Sequence, residues 1–358
     1  MSFPVHKNWS QEFPYFCRPA IVGYFSLNQE RKMHLDSSKL SYLYHRLPLK
    51  TVNFDLNKGI DIVQRKPDNP ERINHLLKWI MSNFDKILAN PCSGRWLLPH
   101  FICYRGLLTK IAKTPYDLKE GWIICAAKWR GNIYLCLFET EEEKIEKATR
   151  TEKQWRFMSW GFKFEQYMVS DSPDKPPDTS KAVNEAEEFN CVFQTQLIHH
   201  HLLYAAEMDA LLSDKKLVDP LPLDKLQFIE LKTNRIIESS QQNENLKKFK
   251  LLRWWCQSFL VGTERIICGF RDDRGIVKEL KDFRVSSIAR YSKHYWKASK
   301  VMNFCDAFLE YVAKTVVYDY DHTIYKFERI PYKDIVLTTE SPSSENVFLP
   351  DWYTKQNL

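Results

Sequence analysis

Two stretches decide how this chain is read: Glu207-Met208-Asp209, and further on Leu226-Gln227-Phe228-Ile229-Glu230-Leu231-Lys232. On a β-strand, residues i and i+2 share a face. Glu207 would then stand beside Asp209, and Glu230 beside Lys232, placing three carboxylates and one ammonium on a single patch of two neighbouring strands. Such carboxylate clusters hold hard divalent ions, Mg²⁺ or Mn²⁺, which prefer oxygen ligands. A lysine completes the arrangement used in metal-assisted phosphodiester hydrolysis: the ions activate water and neutralise developing charge, and the ammonium positions the nucleophile or the phosphate. The pattern therefore predicts a nuclease core.

Context has to carry that reading, because E-x-D and E-x-K arise by chance in a chain with 27% charged residues. Either one alone is more often a solvated face. Leu226 to Leu231 is an apolar run of strand length, and a carboxylate and an ammonium entering a buried strand are costly unless paired or bound to metal. Leu202-Leu203-Tyr204-Ala205-Ala206, which precedes Glu207, suits helix as well as strand. On a helix Glu207 and Asp209 would diverge by roughly 200°, so the local sequence leaves this point open.

The chain has 358 residues, enough for two domains or one large α/β domain with insertions. Its 52 Lys and Arg against 45 Asp and Glu leave a formal charge of +7, which a polyanionic partner would suit without being required. The nine cysteines contain no C-x-x-C pair, which excludes a zinc ribbon and a thioredoxin-type motif. Met1 to Lys7 shows no apolar signal region, and no run approaches the ~18 apolar residues of a membrane span. These features predict a soluble protein of a reducing compartment, without a membrane partner.

Periodicity predicts a short strand around Ile21 to Ser26 and a helix over 71–89 capped at Asp68 or Asn69 ahead of Pro70. It predicts a strand pair within Gly121 to Thr140 turning at Arg130-Gly131-Asn132, and a helix from Thr151 to Met168 with Gly161 inside it. Residues 170–188 read as a surface loop. A helix from Asn243 to Gly262, strands near 264–271 and a helix near 300–316 follow. Together they make a mixed α/β fold, with β-sheets flanked by helices. Four further features could carry chemistry: Glu165 as an added carboxylate, Gln257 as an amide in an apolar helix, Arg105 as a phosphate grip, and His199-His200-His201. Three consecutive histidines do not point one way on a helix or a strand, which argues against a zinc site there.

Taken in order, Arg105, Gly161 to Glu165, Glu207-x-Asp209, Glu230-x-Lys232 and Trp254-Trp255-Cys256-Gln257 resemble the DXO family of decapping exoribonucleases. That family includes the fungal stimulator of the nuclear 5′–3′ exonuclease. Asn53-Phe54-Asp55-Leu56, Arg105-Gly106-x-Leu108-Thr109-Lys110 and Phe348-Leu349-Pro350 are similar to its other landmarks. The likeness spans residues 21–355 as one domain, with 1–20 as an extension and 170–188 as a variable loop. It implies a restriction-endonuclease-like core with two divalent ions, Mg²⁺ or Mn²⁺, beside an RNA 5′ end, and it favours a strand leading into Glu207.

On the resemblance, Glu165, Glu207, Asp209, Glu230 and the Leu231 carbonyl would bind metal. Lys232 and Gln257 would flank the scissile phosphate and the attacking water. Arg105, between Tyr104 and Gly106, would hold RNA, and Arg31, Glu71 and Asn190 would touch substrate. The implied function is removal of triphosphate, incomplete-cap or NAD-cap 5′ ends from RNA in the nucleus, with 5′–3′ degradation as a further activity. A nuclear 5′–3′ exoribonuclease is the implied partner. A non-catalytic RNA-binding stabiliser of that exonuclease, and a DNA nuclease with the same core, are the alternatives. The interval from Asp209 to Glu230 is longer than the family's, which predicts a longer turn between the two strands.

Overall fold

The structure is a computed structural model that describes residues 2–44 and 51–356. Its two largest elements among these residues are a ten-stranded and a seven-stranded sheet, both mixed, with helices packed around them. The strand His200–Glu207 lies inside the larger sheet, antiparallel to Glu188–Leu197 and parallel to Phe101–Tyr104. Leu202, Leu203, Tyr204, Ala205 and Ala206 are all buried. The conflict between helix and strand in this stretch is decided by those two partners, which take up the backbone hydrogen bonds on both edges of an apolar run.

The strand ends at Glu207, and here the expectation of one strand carrying both Glu207 and Asp209 is corrected. After Met208 and Asp209 the chain enters the second sheet as Ala210–Leu211. There Ala210 lies opposite Ile229 and Leu211 opposite Phe228. Continuing that register by one residue on each side sets Asp209 next to Glu230. The strand Phe228–Arg235 runs parallel to Arg265–Arg271 on its other side. The acidic tripeptide is thus the bridge from one sheet to the other, and the long turn expected after it occupies the residues between Leu211 and Phe228.

Other elements follow the pattern closely. Trp122–Trp129 and Asn132–Phe138 form the hairpin, and its turn needs left-handed backbone at Arg130 and Gly131 (φ 47° and 78°). Gly131 has a second reason to lack a side chain, since a Cβ would stand 2.1 Å from the Gly94 carbonyl oxygen. The helix Glu152–Met168 begins with a capping box between Thr151 and Gln154. Ala298–Thr315 is the expected late helix.

Three expectations need correction. The helix over 71–89 starts only at Asn74 and breaks after Ser82, with no side-chain cap at its start. Arg72 adopts φ 51°, and Glu71 is drawn away to pair with Arg31. The helix expected over 243–262 is interrupted by a π-helical turn, Leu246–Lys250, before Leu251–Phe259 resumes α geometry. Residues 2–20, read as an extension, contribute core: Phe3, Val5 and Trp9 are buried, and Ser2–Phe3 pairs with Ile335–Glu340. Residues 170–188 are largely irregular as expected, yet Val183 and Ala186 are buried and Glu185 accepts a hydrogen bond from the Ser159 hydroxyl at 2.6 Å. No helix among the described residues is long and apolar enough to cross a membrane.

Candidate active site

Four carboxylates converge where the two sheets meet. Glu207 ends its strand, Asp209 sits in the crossover, Glu230 is buried on the second sheet, and Glu165 arrives on the helix Glu152–Met168. Lys232, two residues beyond Glu230 on the same strand face, holds the Glu230 carboxylate at 2.6 Å. The Leu231 backbone N–H between them donates to Asp209 Oδ2 at 2.7 Å. One strand therefore presents an acid, a backbone group and an ammonium to one cluster.

The electrostatics show how tightly negative charge is packed. Glu207 keeps a solvent-facing edge, yet crowding by protein pushes its carboxyl up to about 8, with Glu188 and Asp209 adding to the shift. Burial and then Glu230 push Asp209 up to about 6, against Lys232 and the Leu231 N–H. Glu165 is raised well above the usual carboxylate range by burial, Asp209 and Glu207. Glu230 goes the other way: burial opposes its charge, but Lys232 and Arg105 outweigh that and hold it low. Lys232 is raised because Glu230 and Asp209 overcome the penalty of burial. A cluster with this excess of negative charge is short of cations, and an all-oxygen donor set suits hard divalent ions.

Gln257 and Arg105 reach the cluster from two helices. Gln257 lies on Leu251–Phe259, and its side-chain oxygen is shielded from water without a hydrogen-bond partner. Such an orphaned acceptor beside the cluster fits a ligand-facing role. Arg105 opens the helix Arg105–Lys113, largely buried, and its guanidinium donates to the backbone carbonyls of Gln257 at 3.0 Å and Glu207 at 3.4 Å. The phosphate grip expected of it is therefore joined by a second role: the planar fork ties the Gln257 helix to the Glu207 strand.

A cleft of about 550 Å³ opens beside the cluster, with Glu165, Leu231, Lys232 and Gln257 in its wall. Gly161 also lines it, and a Cβ there would meet nothing within 4 Å, so its mid-helix glycine keeps the cleft open. Lys250, from the π turn, and the exposed Arg253 add positive charge to the same wall. Neither was anticipated, because each looked like an ordinary charge on a helix; only the π turn sets Lys250 into the cleft.

Arg31, Glu71, Tyr104 and Asn190 form an adjoining polar network. Arg31 grips Glu71 with two hydrogen bonds (2.7 and 2.6 Å) and Glu188 at 2.8 Å, and Lys66 reaches Glu188 at 2.9 Å. Asn190 lies opposite Glu207 in the strand ladder and donates to Glu188 at 3.2 Å. Burial raises the Tyr104 hydroxyl, and Glu188 and Glu71 add to that. Glu188 thus links this network to the carboxylate cluster. Sequence reasoning missed it, since it was grouped with the acidic end of a variable loop. The available signal was that Glu188 precedes Asn190 by two, on the same strand face. Gly106, on the first turn of the Arg105 helix, has open space where a Cβ would be.

Mixed sheets that bring an acidic residue into line with an E-x-K strand beside an open polar cleft define a metal-dependent nuclease of the PD-(D/E)XK class. Within that class, residues 17–354 match the family described as RAI1 like PD-(D/E)XK nuclease, and the chain belongs to that family. Similar proteins include the decapping and exoribonuclease protein of Bos taurus, 35% identical over 97% of this chain and 87% of its own length. Another is the decapping and exoribonuclease protein Rai1 of Drosophila melanogaster, 34% identical over 96% of this chain and 92% of its own. Among solved structures, Candida albicans Rai1 in complex with pU5 and Mn²⁺ superposes with a TM-score of 0.82 at 22% identity, over 99% of this chain and 98% of that one.

Proposed function

We infer that this protein is a divalent-metal-dependent hydrolase that removes aberrant 5′ ends from RNA. One observation carries the reading: Glu165, Glu207, Asp209 and Glu230, from separate elements, converge around Lys232 at the wall of an open cleft. Family membership and relatives named as decapping nucleases support the same chemistry.

In this reading the four carboxylates and the Leu231 carbonyl would hold two Mg²⁺ or Mn²⁺ ions. The ions would lower the pKa of water and neutralise charge on the phosphate being cleaved. The chain's own residues do the rest. Lys232, kept protonated by Glu230 and Asp209, stabilises negative charge growing on the phosphate. The Gln257 amide oxygen, lacking a protein partner, accepts a hydrogen bond from an O–H of the nucleophile or substrate and so orients it. Arg105 fixes the distance between the Gln257 helix and the Glu207 strand. Arg31, Glu71, Tyr104 and Asn190 shape the adjoining subsite for the 5′-terminal nucleotide.

Triphosphate, incomplete-cap and NAD-cap RNAs are the proposed substrates, the nucleus the proposed location, and a 5′–3′ exoribonuclease the proposed partner. The test is incubation of purified protein with Mn²⁺ and RNAs bearing each 5′ end, followed by mass identification of the small product. Release of pyrophosphate, a cap dinucleotide or NAD supports the reading. RNAs that all keep their 5′ ends while the protein binds them would instead support a stabiliser without catalysis.

A further inference from the structure

The three histidines discounted in the sequence are reopened by the turn in which they sit. Ile198 adopts φ 50°, so Ile198 and His199 form the turn between strands Glu188–Leu197 and His200–Glu207. Strand alternation does not apply across that turn, and the His199 and His200 rings come to 4.2 Å between centroids. His201 departs as alternation requires, packing its ring 5.5 Å from that of His100. The two clustered rings face the helix Ala298–Thr315, on which Asp306 and Glu310 lie one turn apart.

The ligand atoms of His199, His200 and Glu310 all lie within 4.8 Å of one another. Glu310 Oε2 is 2.9 Å from His199 Nε2 and 3.5 Å from His200 Nε2, and Asp306 Oδ1 is 3.7 Å from His200 Nε2. Ligand atoms bound ~2.0–2.2 Å from a tetrahedral ion stand about 3.3–3.6 Å from each other, so these atoms, within 4.8 Å of one another, are near enough for one ion to draw them together.

Two of these atoms are buried without a hydrogen bond and stand 3.7 Å from each other. His200 is 2% exposed, and its Nε2 has no hydrogen-bond partner; Asp306 Oδ1 is likewise shielded and unpartnered. An ordinary His199–Glu310 ion pair, with Lys314 on the other Glu310 oxygen at 2.9 Å, satisfies the outer residues and leaves the inner two stranded. Burying unpaired polar atoms costs free energy that a shared cation would offset. The cluster opens onto a pocket of about 290 Å³, giving an ion a way in; Arg95 in its wall and Lys314 on Glu310 are opposing charges.

We propose that His199, His200 and Glu310, with Asp306 beside His200, form a second metal site, of the class that takes Zn²⁺ or a similar borderline ion. Two imidazoles and a carboxylate are the wrong donors for Mg²⁺ and suitable ones for zinc. The site lies at the start of the strand whose far end is Glu207, about 23 Å away at ~3.3 Å per residue, so it is separate from the carboxylate cluster. Its three protein ligands come from the hairpin turn and from the helix Ala298–Thr315, so a bound ion would fasten one to the other and keep a position for water.

The test uses full-length, tag-free protein carrying Glu207→Ala and Asp209→Ala, so that the carboxylate cluster takes up no ion. After chelator treatment it is titrated with Co²⁺ and then Zn²⁺. The same protein with His199→Ala or Glu310→Gln added is titrated alongside; both positions lie at the surface, and circular dichroism checks that the fold persists. A single equivalent of Co²⁺ is expected to give the intense visible bands of four-coordinate ligation, to be displaced by Zn²⁺, and to raise Tm. Each added substitution is expected to weaken Zn²⁺ binding about ten-fold or more. Absence of the four-coordinate spectrum in the background protein, or unchanged Zn²⁺ affinity in both substituted proteins, overturns the proposal.

Discussion

Lys232 is the residue whose role is most sharply defined. Its ammonium sits 2.6 Å from Glu230 inside a cluster of acids, where it neutralises charge in the resting protein and can stabilise charge on a phosphate. A positioned cation of this kind acts mainly in the transition state. Lys232→Met, which keeps most of the bulk, is expected to lower the single-turnover rate by roughly 10²-fold while RNA affinity stays within a few-fold. The two are compared at fixed salt, because phosphate contacts are salt-sensitive. Equal losses in rate and affinity would make Lys232 a binding residue only.

Glu207 and Asp209 supply a pH signature. Their carboxyls are pushed up to about 8 and about 6, above the usual carboxylate value near 4. These two carboxyls therefore bind more protons in the folded than in the unfolded protein between about pH 4 and pH 8. Their contribution to metal-free stability should fall as pH rises through that window and be fully present below it, while the buried His100 and His200, held down to about 4, act in the opposite sense in its lower part. Glu207→Gln removes part of the penalty, so its gain in metal-free Tm over the parent should be larger at pH 8 than at pH 5. Mn²⁺ affinity should rise over the same window, because the ligands must be ionised. Thermal melts with and without Mn²⁺ at the two pH values check both; a Glu207→Gln advantage that is equal at pH 5 and pH 8 would contradict the assignment.

At the scale of elements, Gly161 separates packing from access. It lies inside a helix where glycine costs about 0.5–1 kcal/mol relative to alanine, and no protein atom occupies the space a Cβ would take. Gly161→Ala should therefore stabilise the protein by up to about 1 kcal/mol. Gly161→Leu should leave Tm near that of the parent but reduce RNA hydrolysis, since its side chain would project into the cleft. A Gly161→Leu protein with parental activity would mean that substrate does not approach this helix face.

Elements with strong local signals were legible in the sequence: the hairpin around Arg130-Gly131, the helix opened by the Thr151 box, the helix Ala298–Thr315. Those shaped by distant partners were not. Leu202 to Ala206 became strand only because Phe101–Tyr104 and Glu188–Leu197 cover it. The break before Asn74 follows from the pull of Arg31 on Glu71, a contact between residues forty positions apart in sequence. The π turn at Leu246–Lys250 left no mark in a pattern that reads as continuous helix, though it sets Lys250 in the cleft. The histidine triplet misled for the same reason, because its turn is invisible to a rule of alternation.

At the scale of the whole molecule, the site exists because the chain changes sheets at Met208-Asp209. Glu207 belongs to the ten-stranded sheet and Glu230 to the seven-stranded one, with Asp209 in between. The carboxylates were recognisable in sequence as two tripeptides and a helix residue, but their convergence is a property of the tertiary structure. Glu188, Lys250 and Arg253 joined them only once the elements were assembled. Because the acids repel each other more than they hold the sheets together, removing two of them should spare the fold while ending the chemistry.

The most direct measurement compares the parent with Glu207→Ala/Asp209→Ala protein on 5′-triphosphate and NAD-capped RNA in Mn²⁺, by identifying released 5′ products, with Tm recorded for each metal-free protein. The parent should release product in a chelator-sensitive reaction. The double variant should release none while melting at or above the parental temperature. Chelator-sensitive release by a folded double variant would place the reactive metal elsewhere and contradict the assignment of this cluster as the active site.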